Sequence, residues 1–180
     1  MRRRFLSWLI RMNETVANLQ ASQYAGPRNM INIASYVSGY FDGEGCFSVS
    51  ISPRPSLKVG WEVRPSVSVS QNADRGEVIA LISDYFGCGS IRPDRSDKTI
   101  KWETRRLDDI VGKVLPHFRS CPLLSGKQRD VDLLASICQH MLAGDHRTRD
   151  GLIHIAQLTI DMNPSGSRRY TLTEIEASAR

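Results

Sequence analysis

Tyr36-Val-Ser-Gly-Tyr-Phe-Asp-Gly-Glu-Gly45 decides how the rest of this 180-residue chain reads. Ser35, Gly39 and Gly43 recur at every fourth position, as do Ala34 and Ser38. On a helix these positions form a strip with almost no side-chain bulk. Ile33, Tyr36, Val37, Tyr40 and Phe41 lie beside it at spacings of three and four, the apolar period of a helix. Small residues let a second backbone come very close. Glycine inside a helix costs about 1 kcal/mol relative to alanine, so Gly39 needs a packing reason. The helix is expected to end at Asp42-Gly-Glu-Gly45, where glycines on both sides of Glu44 allow a tight exit and leave carbonyls uncovered. Two such helices side by side would place two carboxylates together, which makes a metal site. The plainer alternative is a core helix followed by a glycine turn into a strand.

Beyond the motif the period changes. Cys46 to Ser52 alternates strictly, with Phe47, Val49 and Ile51 on one face and Ser48, Ser50 and Ser52 on the other. Pro53 to Pro55 turn the chain, and Trp61 to Gln71 alternates again. Trp61, Val63, Val67 and Val69 face inward; Glu62, Arg64, Ser66, Ser68 and Ser70 face outward. Pro65 implies a bulge or an exposed edge. Asp74 to Phe86 reads as an amphipathic helix stopped by Gly87 and Gly89. A second hairpin runs through Ser90 to Arg92, a polar turn at Asp94 to Asp97, and Thr99 to Thr104. Ile91, Ile100 and Trp102 point in, and Arg92, Thr99, Lys101 and Glu103 point out.

The fold class is therefore α+β, an α-β-β-α-β-β-α core with a four-stranded antiparallel sheet, helices on one face and a polar face left open. Helices are expected at 107–118, from a turn and helix start at 122–130 continuing through Val131 to Leu142, and at 149–163, the last closed by Asn163-Pro164. Domain boundaries follow: a basic and polar extension at 1–29, one domain at 30–165 with a cap at Asn29 or Asn32, and a tail at 166–180.

Charge points to a partner. Overall it is +5, yet residues 31–165 hold sixteen bases and sixteen acids. The two strand regions, 46–71 and 88–106, hold nine Lys/Arg against four acids. That basic excess on one sheet is the footprint of a phosphate-contacting surface. A curved antiparallel ribbon fits the major groove of double-stranded DNA, where Arg and Lys read guanine and Ser or Thr read several bases. The contacting set is Ser48, Ser50, Ser52, Arg54, Arg64, Ser66, Ser68, Ser70, Arg92, Asp94, Thr99, Lys101 and Glu103. The four cysteines have no paired spacing and the four histidines are scattered, which excludes a zinc knuckle and a disulfide framework. Reduced thiols indicate an intracellular protein, in the cytoplasm or an organelle. The apolar run Phe5 to Ile10 is too short for a membrane span.

Val37-Ser-Gly-Tyr-Phe-Asp-Gly-Glu-Gly45 is similar to the LAGLIDADG motif of homing endonucleases, with Gly39, Asp42, Glu44 and Gly45 in the defining positions. No second copy follows, so the resemblance is to the single-motif, homodimeric branch. It covers about residues 30 to 165 and implies that the open sheet face is a DNA-binding saddle. It further implies that Gln71 organises water around the metals, that Arg75 is a basic site residue, and that Lys127 reaches the scissile phosphate region. Asp42 would brace the helix end rather than bind metal.

In-line phosphodiester hydrolysis needs charge neutralisation on the attacking and leaving oxygens. Mg²⁺ is the expected cofactor, or Mn²⁺, with Ca²⁺ as a non-catalytic substitute; it takes oxygen ligands, here Glu44 and the Gly43 carbonyl. One Glu44 is thin ligation, so a second copy of the chain is expected across a two-fold interface of Ser35, Ser38, Gly39, Asp42 and Gly43. That symmetry predicts a long, roughly palindromic target cut on both strands. The rival readings are an intron maturase that assists RNA splicing and a non-catalytic DNA-binding protein on the same scaffold.

Overall fold

The side chain of Asn32 accepts a hydrogen bond from the Ser35 amide at 3.0 Å and so opens helix α1 (Ile33–Glu44). The computed structural model describes residues 31–94, 98–164, 166 and 168–180. The extension 1–29, the alternative cap Asn29 and most of the 94–97 turn lie outside the described residues. Phe41 is fully buried and is the hub of α1, with the rings of Phe47, Phe86, Trp102 and Phe118 at centroid distances of 5.2 to 6.0 Å. Emptying such a position costs about 3–5 kcal/mol.

Strand β1 (Gly45–Pro53) leaves α1 without a loop. Gly45 makes this junction by its size, since its φ of −73° suits any residue. A β-carbon there would run into the ring and backbone of Phe41.

β1 pairs antiparallel with β2 (Trp61–Asn72) from Gly45↔Val69 through Pro53↔Trp61 with no slip in register. Pro65 therefore sits in no bulge. β2 pairs with β4 (Thr99–Thr104) only from Val67 onward, which leaves Pro65 on a stretch of β2 open on one side. The missing N–H costs no ladder bond there. A 3-10 turn (Ala73–Arg75) leads into α2 (Glu77–Phe86), and Gly87 ends that helix at φ +55°. β3 (Ser90–Pro93) completes a sheet ordered β1-β2-β4-β3. Phe47, Trp61, Val63, Val67, Val69, Ile100 and Trp102 are buried on its helix-covered side, as the alternation requires.

The expected helix after β4 is present but not uniform. It runs through α3 (Leu107–Asp109), a π-helical segment (Ile110–Val114) and α4 (Leu115–Ser120). α5 (Gln128–Ala143) stops at Gly144, at φ +87°, and α6 (Arg149–Asp161) is capped by Thr148. α6 is not the last helix, which corrects the sequence reading. α7 (Leu172–Ser178) carries a capping box between Thr171 and Glu174 and buries Ile175. Tyr170 packs edge-on against Trp61 at 5.2 Å, and the Arg168 guanidinium donates to the Thr159, Ile160 and Met162 carbonyls at the end of α6. This segment has one buried apolar residue per short helix, too little for periodicity to register. The described cysteines are all free, and no described helix is long and apolar enough to cross a membrane.

Candidate active site and nucleic-acid face

α1 has two chemically different sides. Val37, Ser38 and Phe41 are buried, whereas Ser35, Tyr36, Gly39 and Gly43 are exposed. A β-carbon at Gly39 or Gly43 would meet nothing within 4 Å among the described residues, so none of these packs against the small-residue strip.

Two expected interface residues belong to the other side. Ser38 is 6% exposed; its hydroxyl donates to the Cys121 carbonyl at 2.6 Å and lies 3.1 Å from Nε2 of His117. With that proton committed, Ser38 accepts from Nε2–H, and Nδ1 of His117 accepts from the Tyr85 hydroxyl at 2.9 Å. Burial pushes the His117 imidazole down, toward the neutral form this arrangement needs. Asp42 likewise turns inward. Its carboxylate accepts from the amides of Leu124 and Ser125 and from the Ser125 hydroxyl. The Ser125 hydroxyl, above all, holds the Asp42 carboxyl below its usual range. Ser38 is thus corrected from interface to core contact, because four-residue spacing does not say which helix face meets the core; Asp42, part-exposed, spends its carboxylate on bracing the helix end within its own subunit.

The same clamp delivers Lys127. Ser125 Oγ accepts from the Lys127 amide at 3.1 Å, and Lys127 Nζ donates to the carbonyls of Phe41 and Gly43 at 3.3 and 3.2 Å. Gln71, at the end of β2, donates from Nε2 to the Tyr40 hydroxyl at 2.8 Å, and its Oε1 accepts from the Asn72 amide. Burial pushes the Tyr40 phenol up, partly offset by Gln71 and reinforced by the charge of Glu44. Glu44 itself is exposed at the end of α1 and has no hydrogen bond or ion pair among the described residues. Arg75 is exposed at the end of the 3-10 turn and likewise makes no such contact there. The structure therefore brings Glu44, Gly43 and Lys127 to one helix end and ties Gln71 to the preceding turn of that helix; among the described residues Arg75 has no side-chain partner.

The Glu44 carboxylate and Gly43 carbonyl form an all-oxygen donor set suited to a hard cation, with one carboxylate per chain. Among the described residues no group of three or more His, Cys, Asp and Glu could hold a metal. The set fits a hard cation such as Mg²⁺ once further oxygen ligands complete it.

The open sheet face is more ordered than its sequence suggests. Glu62 is shared by Arg54 at 2.9 Å and Arg64 at 2.8 Å. Glu103, with 9% of its side chain exposed, is shared by Arg92 at 2.9 Å and Arg105 at 3.1 Å and accepts from Ser66 at 3.0 Å. Burial pushes both carboxyls up, but hydrogen bonds and charges from these partners outweigh it and keep them ionised below the usual range. Glu103 thus orients arginines and offers little surface of its own. Ser68 is corrected too: at 3% exposed on the central strand, between Cys46 and Glu103 in register, it is covered by its larger neighbours. Ser48, Ser50, Ser52, Ser70, Asp94, Thr99 and Lys101 retain at least partial exposure. Arg105, Tyr40 and Ser125 were missed; only the Arg105-Arg106 pair after β4 and Ser125, two positions before Lys127, offered a sequence signal.

Residues 37–138 match the family model of the LAGLIDADG endonucleases. The chain belongs to the LAGLIDADG endonuclease family. Probable intron-encoded endonuclease 2 of Neurospora crassa is 28% identical over 130 residues, covering 72% of this chain and 29% of that protein. The chain thus spans under a third of that relative's length. Homing endonuclease I-ApeII of Aeropyrum pernix is 26% identical over 150 residues, covering 79% of this chain and 87% of that one. The LAGLIDADG homing endonuclease I-LtrWI, solved bound to its target DNA, superposes with a TM-score of 0.71 at 27% identity, over 73% of this chain and 44% of that one. The LAGLIDADG stretch is α1 with its exit into β1, and the four-stranded sheet is the family's fold.

Proposed function

We propose that this LAGLIDADG chain is a site-specific homing endonuclease that acts on double-stranded DNA as a homodimer and hydrolyses one phosphodiester in each strand of a long, roughly palindromic target. The observation that carries the reading is Glu44, without a side-chain partner among the described residues, at the end of a helix whose exposed stripe is Ser35, Gly39 and Gly43. A second α1 laid along that stripe brings a second Glu44 beside the first and completes the half-site. Isologous contact of this kind imposes two-fold symmetry on the DNA. The names of the relatives support an intron-encoded nuclease that works where the host genome is, inside the cell.

Bound Mg²⁺ supplies charge neutralisation at the attacking and leaving oxygens. Glu44 and the Gly43 carbonyl would hold it. Gln71, fixed through Tyr40, positions water beside the phosphorus, and Lys127 balances negative charge on the phosphate. Arg75 is exposed and available to a phosphate. Arg54, Arg64, Arg92 and Lys101 contact phosphates and base edges, with the serines of β1 and β2 between them.

The test is cleavage of a duplex that the protein selects from a randomised library, with Mg²⁺ present. The parent cuts both strands, and Glu44→Gln binds the same duplex without cutting it. Equal cutting by the two proteins refutes the assignment.

A further inference from the structure

Lys127 occupies the oxygen that the proposed metal site needs. Its ammonium donates to the Gly43 carbonyl at 3.2 Å and to the Phe41 carbonyl at 3.3 Å. Among the described residues no carboxylate lies within ion-pair distance of it, so carbonyl oxygens take its hydrogen bonds, with the Asp42 charge acting from further off. Those dipoles sit at the C-terminus of α1, where aligned peptides leave a partial negative charge of about half an electron. Glu44 adds a full negative charge as the last residue of the same helix. A helix end of that kind attracts a cation, and among the described residues Lys127 is the cation that reaches it.

We propose that Lys127 is a built-in stand-in for the divalent cation, and that it leaves the Gly43 carbonyl when the metal binds. The idea rests on the endonuclease reading above and adds an order of events to it. The backbone of Lys127 is pinned through Ser125 and Asp42, so the side chain moves about a fixed base. Its four-carbon stem is flexible, and its ammonium is a compact charge that carries its own hydration when it swings free. An ammonium and a divalent cation cannot share one carbonyl oxygen without strong repulsion. Lys127 is therefore released from the Gly43 carbonyl when the site is loaded, and its ammonium is then free to meet a DNA phosphate. The device keeps the helix end neutralised before DNA arrives and lowers metal affinity in its absence. An ordinary helix-capping lysine would share the contacts but not this competition.

The experiment titrates the full-length protein, without DNA, with Mn²⁺ followed by electron paramagnetic resonance. The proteins are the parent, Lys127→Met, Lys127→Arg and Glu44→Gln, each checked for native circular dichroism. Lys127→Met is expected to bind Mn²⁺ about tenfold more tightly than the parent, because it removes a like charge beside the site. Lys127→Arg, which keeps the charge, stays within about twofold of the parent, and Glu44→Gln loses the binding. Unchanged or weaker binding by Lys127→Met, with Glu44→Gln still abolishing it, overturns the stand-in and leaves the endonuclease reading intact. Binding indifferent to Glu44 removes the metal site and the stand-in together.

Discussion

The hydroxyl of Ser38 lies 3.1 Å from Nε2 of His117, 79 residues further along the chain, and this contact fastens the motif helix to the π-interrupted helix behind it. It commits α1 to a fixed rotation, with Ser38 and Asp42 turned inward and Ser35, Gly39 and Gly43 turned out. The arrangement of the site follows from that rotation.

Burial lowers the His117 pKa in the folded state, so the fold gains stability above the unfolded value of about 6.5. That gain is lost as pH falls through 6.5 toward the lowered folded value. Urea midpoints at about pH 7.5 and about pH 5.5 are expected to differ more for the parent than for His117→Gln. His146 is also held low by burial and titrates in both proteins, so the difference between them reports His117. Parallel pH curves would sink this account.

Asp42→Ala frees the Leu124 and Ser125 amides and the Ser125 hydroxyl together. The cost to stability is about 1 kcal/mol, kept small by the solvent beside the carboxylate. The larger effect falls on cleavage, because Lys127 loses its fixed base. Single-turnover rates are expected to drop about tenfold or more with DNA affinity nearly unchanged. A loss of affinity with an unchanged rate would place Asp42 elsewhere in the mechanism.

Gly39 separates the subunit from the pair. Gly39→Ala adds a methyl group that meets none of the described residues and removes a helix-breaking residue, so the monomer gains about 0.5–1 kcal/mol. Gly39→Leu leaves the monomer folded and blocks close approach of a second α1. Sedimentation of Gly39→Leu should give a folded single subunit where the parent pairs. A pair of undiminished affinity would put the interface on another surface.

Lys101 and Glu103 should behave in opposite ways. The Lys101 side chain has no hydrogen bond or ion pair among the described residues, and Lys101→Ala is expected to weaken binding across sequences and reduce the salt slope by about one. Glu103→Gln releases Arg92 and Arg105 and removes a negative charge, so affinity for random duplex rises while discrimination falls. Fluorescence anisotropy against salt, with selected and random duplexes, measures both. An unchanged affinity ratio in Glu103→Gln would show that the arginines need no orienting carboxylate.

The sequence by itself determined the local phase of the chain. Period four placed Ser35, Gly39 and Gly43 in one strip, period two put Phe47, Val67 and Trp102 on one side of a sheet, and Gly87 and Gly144 marked helix ends. These are short-range consequences of backbone geometry, which any stretch of residues carries with it. Only the tertiary structure decided which side of each element met its own core. It turned Ser38 and Asp42 inward, covered Ser68 between larger neighbours, hid most of Glu103 among arginines, and docked Ile175 through a helix too short to announce itself. It also carried Lys127 across 84 residues of chain to the Gly43 carbonyl. Such contacts depend on how separate elements pack, and periodicity fixes the spacing along an element without fixing what lies across from it.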